Sequence, residues 1–218
     1  MLLALAFLFA TSPALPYHIE LEAHPAAPFP FLSKFGTVTL HVYNGGVRAD
    51  TLWLNGFSRN GTNTVTVENP LGRMYTTVPV SDLVSILQKM AKEHVDEVVP
   101  PPVAKPVAGN VRGIPAKRYR LIYGADAWID VWTTDRIPEN PQLRAIINAC
   151  IEGIAPFTAR SMRAIPGTPI YVELNFSHYK KLPIVRLKNF MTTNAGQEKA
   201  LSVGKLYFKA PLLDSLWK

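Results

Sequence analysis

Apolar and polar residues alternate with a period of two through most of this chain, and that period predicts strands rather than helices. Tyr17, Ile19 and Leu21 oppose His18, Glu20 and Glu22, and Val38, Leu40 and Val42 form one face of residues 36–43. Further strands are expected over 47–54, 62–68 and 73–78. The turn-formers Asn44-Gly45-Gly46, Asn60-Gly61 and Asn69-Pro70-Leu71-Gly72 separate them. The period then changes. Leu83, Ile86, Leu87 and Met90 recur every three or four residues behind a capping Ser81, which predicts a helix over 82–97. The proline-rich stretch 99–108 reads as an extended crossover within one domain.

Beyond it the alternation returns at 115–123 and 127–134, across a Gly124-Ala125-Asp126 turn. Trp128 and Trp132 share one face of the second strand while Ile129 and Val131 share the other, as expected for a strand inside a sheet. A second helix follows, with Asn140 at its cap, Pro141 in its first turn and Gly153 near its end. Its apolar stripe is Leu143, Ile146, Ile147, Cys150 and Ile151. Strands at 169–177, 184–193 and 201–210 complete the chain. About ten strands and two helices, without a strand–helix repeat, indicate a mainly β (α+β) fold: a curved antiparallel sheet with helices laid on one face.

At 218 residues the chain suits a single domain. The apolar run Leu2–Ala10, followed by Ser12-Pro13-Ala14, reads as a signal peptide cleaved after Ala14. Residues 15–218 are then expected to be exported, periplasmic or extracellular, and soluble. Cys150 is the only cysteine, so no internal disulfide forms, and its place on an apolar helix face marks a buried thiol rather than a nucleophile. The formal charge of +7 is scattered, as on a generally solvated basic surface, and is open to anionic partners: lipid head groups, acidic glycans or nucleic acid. Tyr119 and Tyr123 alternate with Arg118 and Arg120, a pattern that also stacks nucleobases, but an exported location argues against nucleic acid. The triplets Asn60-Gly61-Thr62 and Asn175-Phe176-Ser177 fit the N-glycosylation pattern.

Gly113-Ile114-Pro115-Ala116-Lys117-Arg118-Tyr119, a hairpin, and then Val131-Trp132-Thr133-Thr134-Asp135-Arg136-Ile137-Pro138 form a recurrent-looking element. It resembles exported bacterial proteins of unknown function related to the lipoprotein carriers LolA and LolB. The resemblance spans residues 36–211 and is strongest over 109–175. It implies an open half-barrel of about eleven strands, with helices over an apolar face that in the carriers receives acyl chains. No lipidation cysteine of the LolB kind follows the N-terminal apolar run.

Catalytic motifs are missing: there is no G-x-S-x-G, no phosphate-binding loop and no H-x-x-x-H or paired cysteines among the five dispersed histidines. No catalytic residue, metal site or cofactor is expected, and the chain reads as a binding protein rather than an enzyme. The candidate ligand-facing residues are Trp128, Trp132, Leu143, Ile146, Ile147, Leu83, Leu87 and Met90, with Arg118, Arg120, Lys180 and Lys181 as a basic rim. The leading expectation is carriage of a lipid or lipoprotein acyl chain. The alternative is a structural or adhesive envelope subunit acting through protein contacts.

Overall fold

The computed structural model describes residues 16–23, 36–52, 54–90, 100–177, 181–192 and 198–211. Six strands meander through the first part: β1 (Tyr17–Ala23), β2 (Thr37–Tyr43), β3 (Gly46–Asp50), β4 (Asn55–Arg59), β5 (Thr64–Asn69) and β6 (Met74–Pro79). Helix α1 (Val80–Met90) and the proline-rich segment carry the chain to the far edge of the sheet. There β7 (Val107–Val111), β8 (Ile114–Ile122) and β9 (Ala127–Thr134) run back toward the middle. Helices α2 (Pro141–Ile154) and α3 (Pro156–Arg163) follow, then β10 (Thr168–Phe176), β11 (Leu182–Thr192) and a two-residue β12 (Phe208–Lys209).

All twelve strands belong to one sheet, ordered β12-β6-β5-β4-β3-β2-β1-β11-β10-β9-β8-β7. The two halves meet where β1 pairs with β11, from Tyr17 opposite Thr192 to Ala23 opposite Val185. Every pairing is antiparallel except that of β12 with β6. The order does not return to its start, so the sheet is open, and the mixed, mostly antiparallel α+β class read from the alternation holds.

Four local differences have physical causes. Strand β4, sequence NGFSR, lies between the strands expected over 47–54 and 62–68, where no element was expected, because one apolar side chain, Phe57, leaves almost no alternation to see. The proline-rich crossover is itself edge structure. Ala104 N donates to Arg120 O (2.9 Å), Ile122 N donates to Pro102 O (3.1 Å), and β7 continues the pairing with β8. Proline is tolerated on this outermost strand because the missing N–H has no neighbour to serve. Helix α3 escapes the periodicity because it buries small side chains, Thr158, Ala159 and Ser161, with one larger one, Met162. The strand expected at 201–210 shrinks to β12, preceded by a 3-10 turn at Glu198–Leu201. The expected signal peptide, the extension of α1 to residue 97 and the turn residue Lys180 lie outside the described residues.

Residues paired directly across a sheet share a face. Tyr17, Ile19, Leu40, Val42 and Val47 gather on one face with Leu143, Ile146 and Ile147 of α2 above them. Val65 and Val67 pack beneath Leu83 of α1, and Ile146 touches this cluster too. Tyr119, Leu121 and Val131 pack against Met162 and Ile165, in and just after α3. The three helices therefore form one layer over one face. Burying a side chain such as Leu143 or Ile146 there stabilises the fold by about 1.5–3 kcal/mol.

Candidate functional site: an apolar interlayer with a charged reverse face

The register fixes which side chains line the helix-covered face. From β1 to β6, those positions hold Tyr17, Ile19, Leu21, Val38 and their cross-strand partners, and none is Asp, Glu, Lys, Arg or His. The cover closes on this lining at defined anchors. Asn140 Oδ1 accepts from Leu143 N (2.9 Å), capping α2, and Pro141 in the first turn has no N–H to leave unpaired. Tyr17 Oη donates to Pro138 O (2.6 Å), and Gln142 Nε2 donates to the buried Ser58 Oγ (2.6 Å). Burial, and next the Glu139 charge, push the Tyr17 phenol up to about 12, so it stays a neutral donor at physiological pH. At the other end, Ser161 Oγ donates to Pro101 O (2.6 Å), and Arg144 bridges α2 to Gly167 O (3.0 Å), Met162 O (3.1 Å) and Ile165 O.

The reverse face concentrates charge. Arg120 forks onto Asp130, Nε to Oδ1 at 2.8 Å and Nη2 to Oδ2 at 2.9 Å, and its guanidinium stacks 4.7 Å from the Trp128 ring centre. Trp128 Nε1 also donates to Asp130 Oδ2 (3.3 Å). The hydrogen bonds to Asp130 hold Arg120 more firmly charged than usual. On β10, Tyr171 Oη donates to Glu173 Oε2 (2.9 Å), and Lys181 lies 3.8 Å from Glu173 Oε1. Burial first, and then Glu173, raise the Tyr171 phenol to about 12. Arg186 pairs with Glu22 across the central seam (2.6 Å). A second cluster on the β2–β3 side joins Arg48 to Asp50 (2.7 Å) and Glu68 (3.0 Å), with His41 Nε2 3.3 Å from Asp50. Burial opposes ionisation of Asp50, but His41 and Arg48 outweigh it and hold that carboxyl below its usual range. Asp130 and Glu68, both buried, thus each have an arginine partner, and Glu173, also buried, has Lys181 and Tyr171. Such saturated networks suit structural support better than proton transfer.

Leu143, Ile146, Ile147 and Leu83 all enter the apolar interlayer. The side chains of Leu87 and Met90 lie outside the described set. Trp132 is partly buried against the main cluster, with Arg118 5.7 Å from its ring centre, and its Nε1 is buried without a hydrogen-bond partner. Trp128 points away from the helices, beside Arg120. Strand alternation requires this, because Ile129 and Val131 turn toward the α3 side. Lys181 is exposed. Arg120 therefore sits on the reverse face with Trp128, while Arg118 lies over the Trp132 ring where that ring meets the main cluster. Of the carboxylates that hold this face together, Glu173 was not singled out in sequence, and Asp130, with Asp126 and Asp135, reads there as a turn or strand-edge residue, whereas it is buried within the sheet and paired with Arg120.

Cys150 is partly exposed as a residue, but its thiol is enclosed, and burial raises its pKa to about 11. A surface groove of about 540 Å³ runs beside α2 between Glu139, Pro141, Arg144, Ala145 and Asn148. Glu139 and Arg144 pair there at 3.0 Å. Among the described residues no set of three or more His, Cys, Asp or Glu side chains could hold a metal, and no helix is long and apolar enough to cross a membrane.

No family model and no curated protein matches the chain. Among solved structures it is similar to an uncharacterized conserved protein from Thermus thermophilus, with 9% identity, 90% of each chain covered and a TM-score of 0.46. That similarity assigns neither a family nor an activity. The class defined by the coordinates is an open antiparallel sheet with a three-helix cover.

Proposed function

We propose that this is an exported, non-catalytic carrier that takes the acyl part of a lipid or lipid-modified protein between its helical cover and its sheet. The observation that carries the reading is the lining from β1 to β6 beneath α1 and α2, which holds no Asp, Glu, Lys, Arg or His. The resemblance to lipoprotein carriers of the LolA and LolB kind points the same way.

The interlayer is filled by the chain's own side chains, so a ligand enters by exchange. Helix α2 is anchored at its start by Tyr17, Asn140 and Gln142, and α3 is tied down through Ser161 and Arg144. The described hold on α1 is apolar, through Leu83 and Val80, with one backbone bond from Val80 N to Asn63 O (3.0 Å). In this proposal α1 is the element that lifts. Each acyl methylene buried contributes ~0.8 kcal/mol, so eight of them offset the displacement of two or three core side chains. Anionic head groups stay outside, against the basic surface.

The test is titration with a fluorescent fatty-acid analogue. Saturable one-to-one uptake is expected, weakened several-fold by Ile146→Trp, which fills the space both clusters share. Absence of saturable uptake by a protein with native circular dichroism would overturn the reading.

A further inference from the structure

Among the described residues, half of the large apolar side chains left exposed gather at one corner: Leu52, Leu71, Leu206 and Phe208, each 68–74% exposed. The register brings them there. Asn55, at the start of β4, pairs with Glu68 near the end of β5, so the turns before β4 and before β6 lie at the same end of the sheet. Strand β12 runs parallel to β6 from that end, with Phe208 opposite Met74 and its N–H donating to Arg73 O (2.9 Å). Three exposed cations, Arg73, Lys205 and Lys209, stand on the same segments. Residues 70–79 and 200–211 contain no Asp or Glu. The neighbouring carboxylates, Asp50 and Glu68, are engaged by Arg48.

The geometry points to this corner as a docking surface for an anionic lipid bilayer. Leucine and phenylalanine side chains enter the boundary between head groups and acyl chains, while Arg73, Lys205 and Lys209 meet lipid phosphates. A protein partner adding a strand is the poorer fit. The exposed edge at β12 is two residues long and is followed by Pro211, which has no N–H to offer. The docking surface stands on these exposed residues alone and holds whether or not the interlayer takes a ligand. With the carrier reading, it places the protein where an acyl chain is collected or delivered.

The experiment uses the full chain carrying Cys150→Ala and a single new cysteine, labelled with an environment-sensitive fluorophore. Phe208→Cys reports on the corner, Leu71→Cys supplies a second reporter there on a turn, and Val107→Cys reports on the opposite edge, β7. With vesicles of phosphatidylcholine and phosphatidylglycerol, the label should shift to the blue at 208 and 71 but not at 107. Pure phosphatidylcholine should give no shift, and added salt should reverse it. Lys205→Ala with Lys209→Ala should lower vesicle partitioning by more than tenfold, since each surface cation is worth roughly fivefold. Absence of vesicle binding, binding without a shift at either corner site, an equal shift at 107, or partitioning indifferent to the two lysines would each overturn the proposal.

Discussion

Replacing Gly109 with alanine tests the packing of the edge hairpin by sign as well as size. A Cβ at Gly109 would stand 2.5 Å from Trp132 Cζ3 and 3.0 Å from Cη2, well inside van der Waals contact. Gly109 is not among the residues with positive φ, so its backbone is open to any side chain. Local energetics alone would then favour alanine by about 0.5–1 kcal/mol. Trp132 has little room to yield, since it packs against the main cluster under the Arg118 guanidinium. Overpacking a site of this kind costs about 1–3 kcal/mol, which leaves a net loss of up to about 2.5 kcal/mol. For a chain of this size that lowers Tm by up to about 10 °C. The assay is thermal and denaturant unfolding of Gly109→Ala, alone and together with Trp132→Leu. Removing the indole should relieve the contact and turn the alanine neutral or stabilising. A Gly109→Ala protein that melts higher than the parent in the Trp132 background would refute the close approach.

Arg120→Leu leaves the buried Asp130 carboxylate without its fork and should cost about 2–4 kcal/mol in denaturant unfolding, while Arg120→Lys recovers only part because it loses the paired geometry and the stack on Trp128. Tyr17, Cys150 and Tyr171 all have folded pKa values above their ordinary 10.0, 9.0 and 10.0, so the fold favours their neutral forms. Their stabilising contribution is complete below about pH 9 and is lost as pH rises to about 11–12; Tyr17→Phe should make that alkaline loss shallower, although it costs about 1 kcal/mol at neutral pH with the bond to Pro138 O. Cys150 should resist alkylating reagents at pH 8 in the native protein and react promptly in denaturant; prompt native labelling would contradict its enclosure. Asn140→Ala should cost about 1 kcal/mol through loss of the α2 cap.

The sheet was largely legible because one face of each long strand is buried, and burial on one face writes a period of two into the sequence. It failed where that cause is absent. β4 carries one large apolar residue, β7 is exposed along its length, and α3 buries alanine, serine and threonine. The stripe Leu143, Ile146 and Ile147 was legible for the same reason as the strands. Trp128 shows the limit. Sequence could pair it with Trp132 on one face, but nothing local says which face a helix placed elsewhere in the chain will cover. Nor could alternation reveal that Asp130 and Glu173 would be buried, since that follows from partners on adjacent strands and on the next hairpin. The apolar corner is equally non-local. Leu52 and Phe208 fall within expected strands and Leu71 within an expected turn, and only the strand order brings the three exposed side chains to one end of the sheet.

The carrier reading stands most directly on what the interlayer holds in the cell. Protein purified from its native source without detergent should yield, on organic extraction and mass spectrometry, close to one acyl-bearing molecule per chain, and Ile146→Trp should lower that ratio several-fold. Extracts without bound lipid, from a protein that also takes up no fatty-acid analogue afterwards, would contradict it.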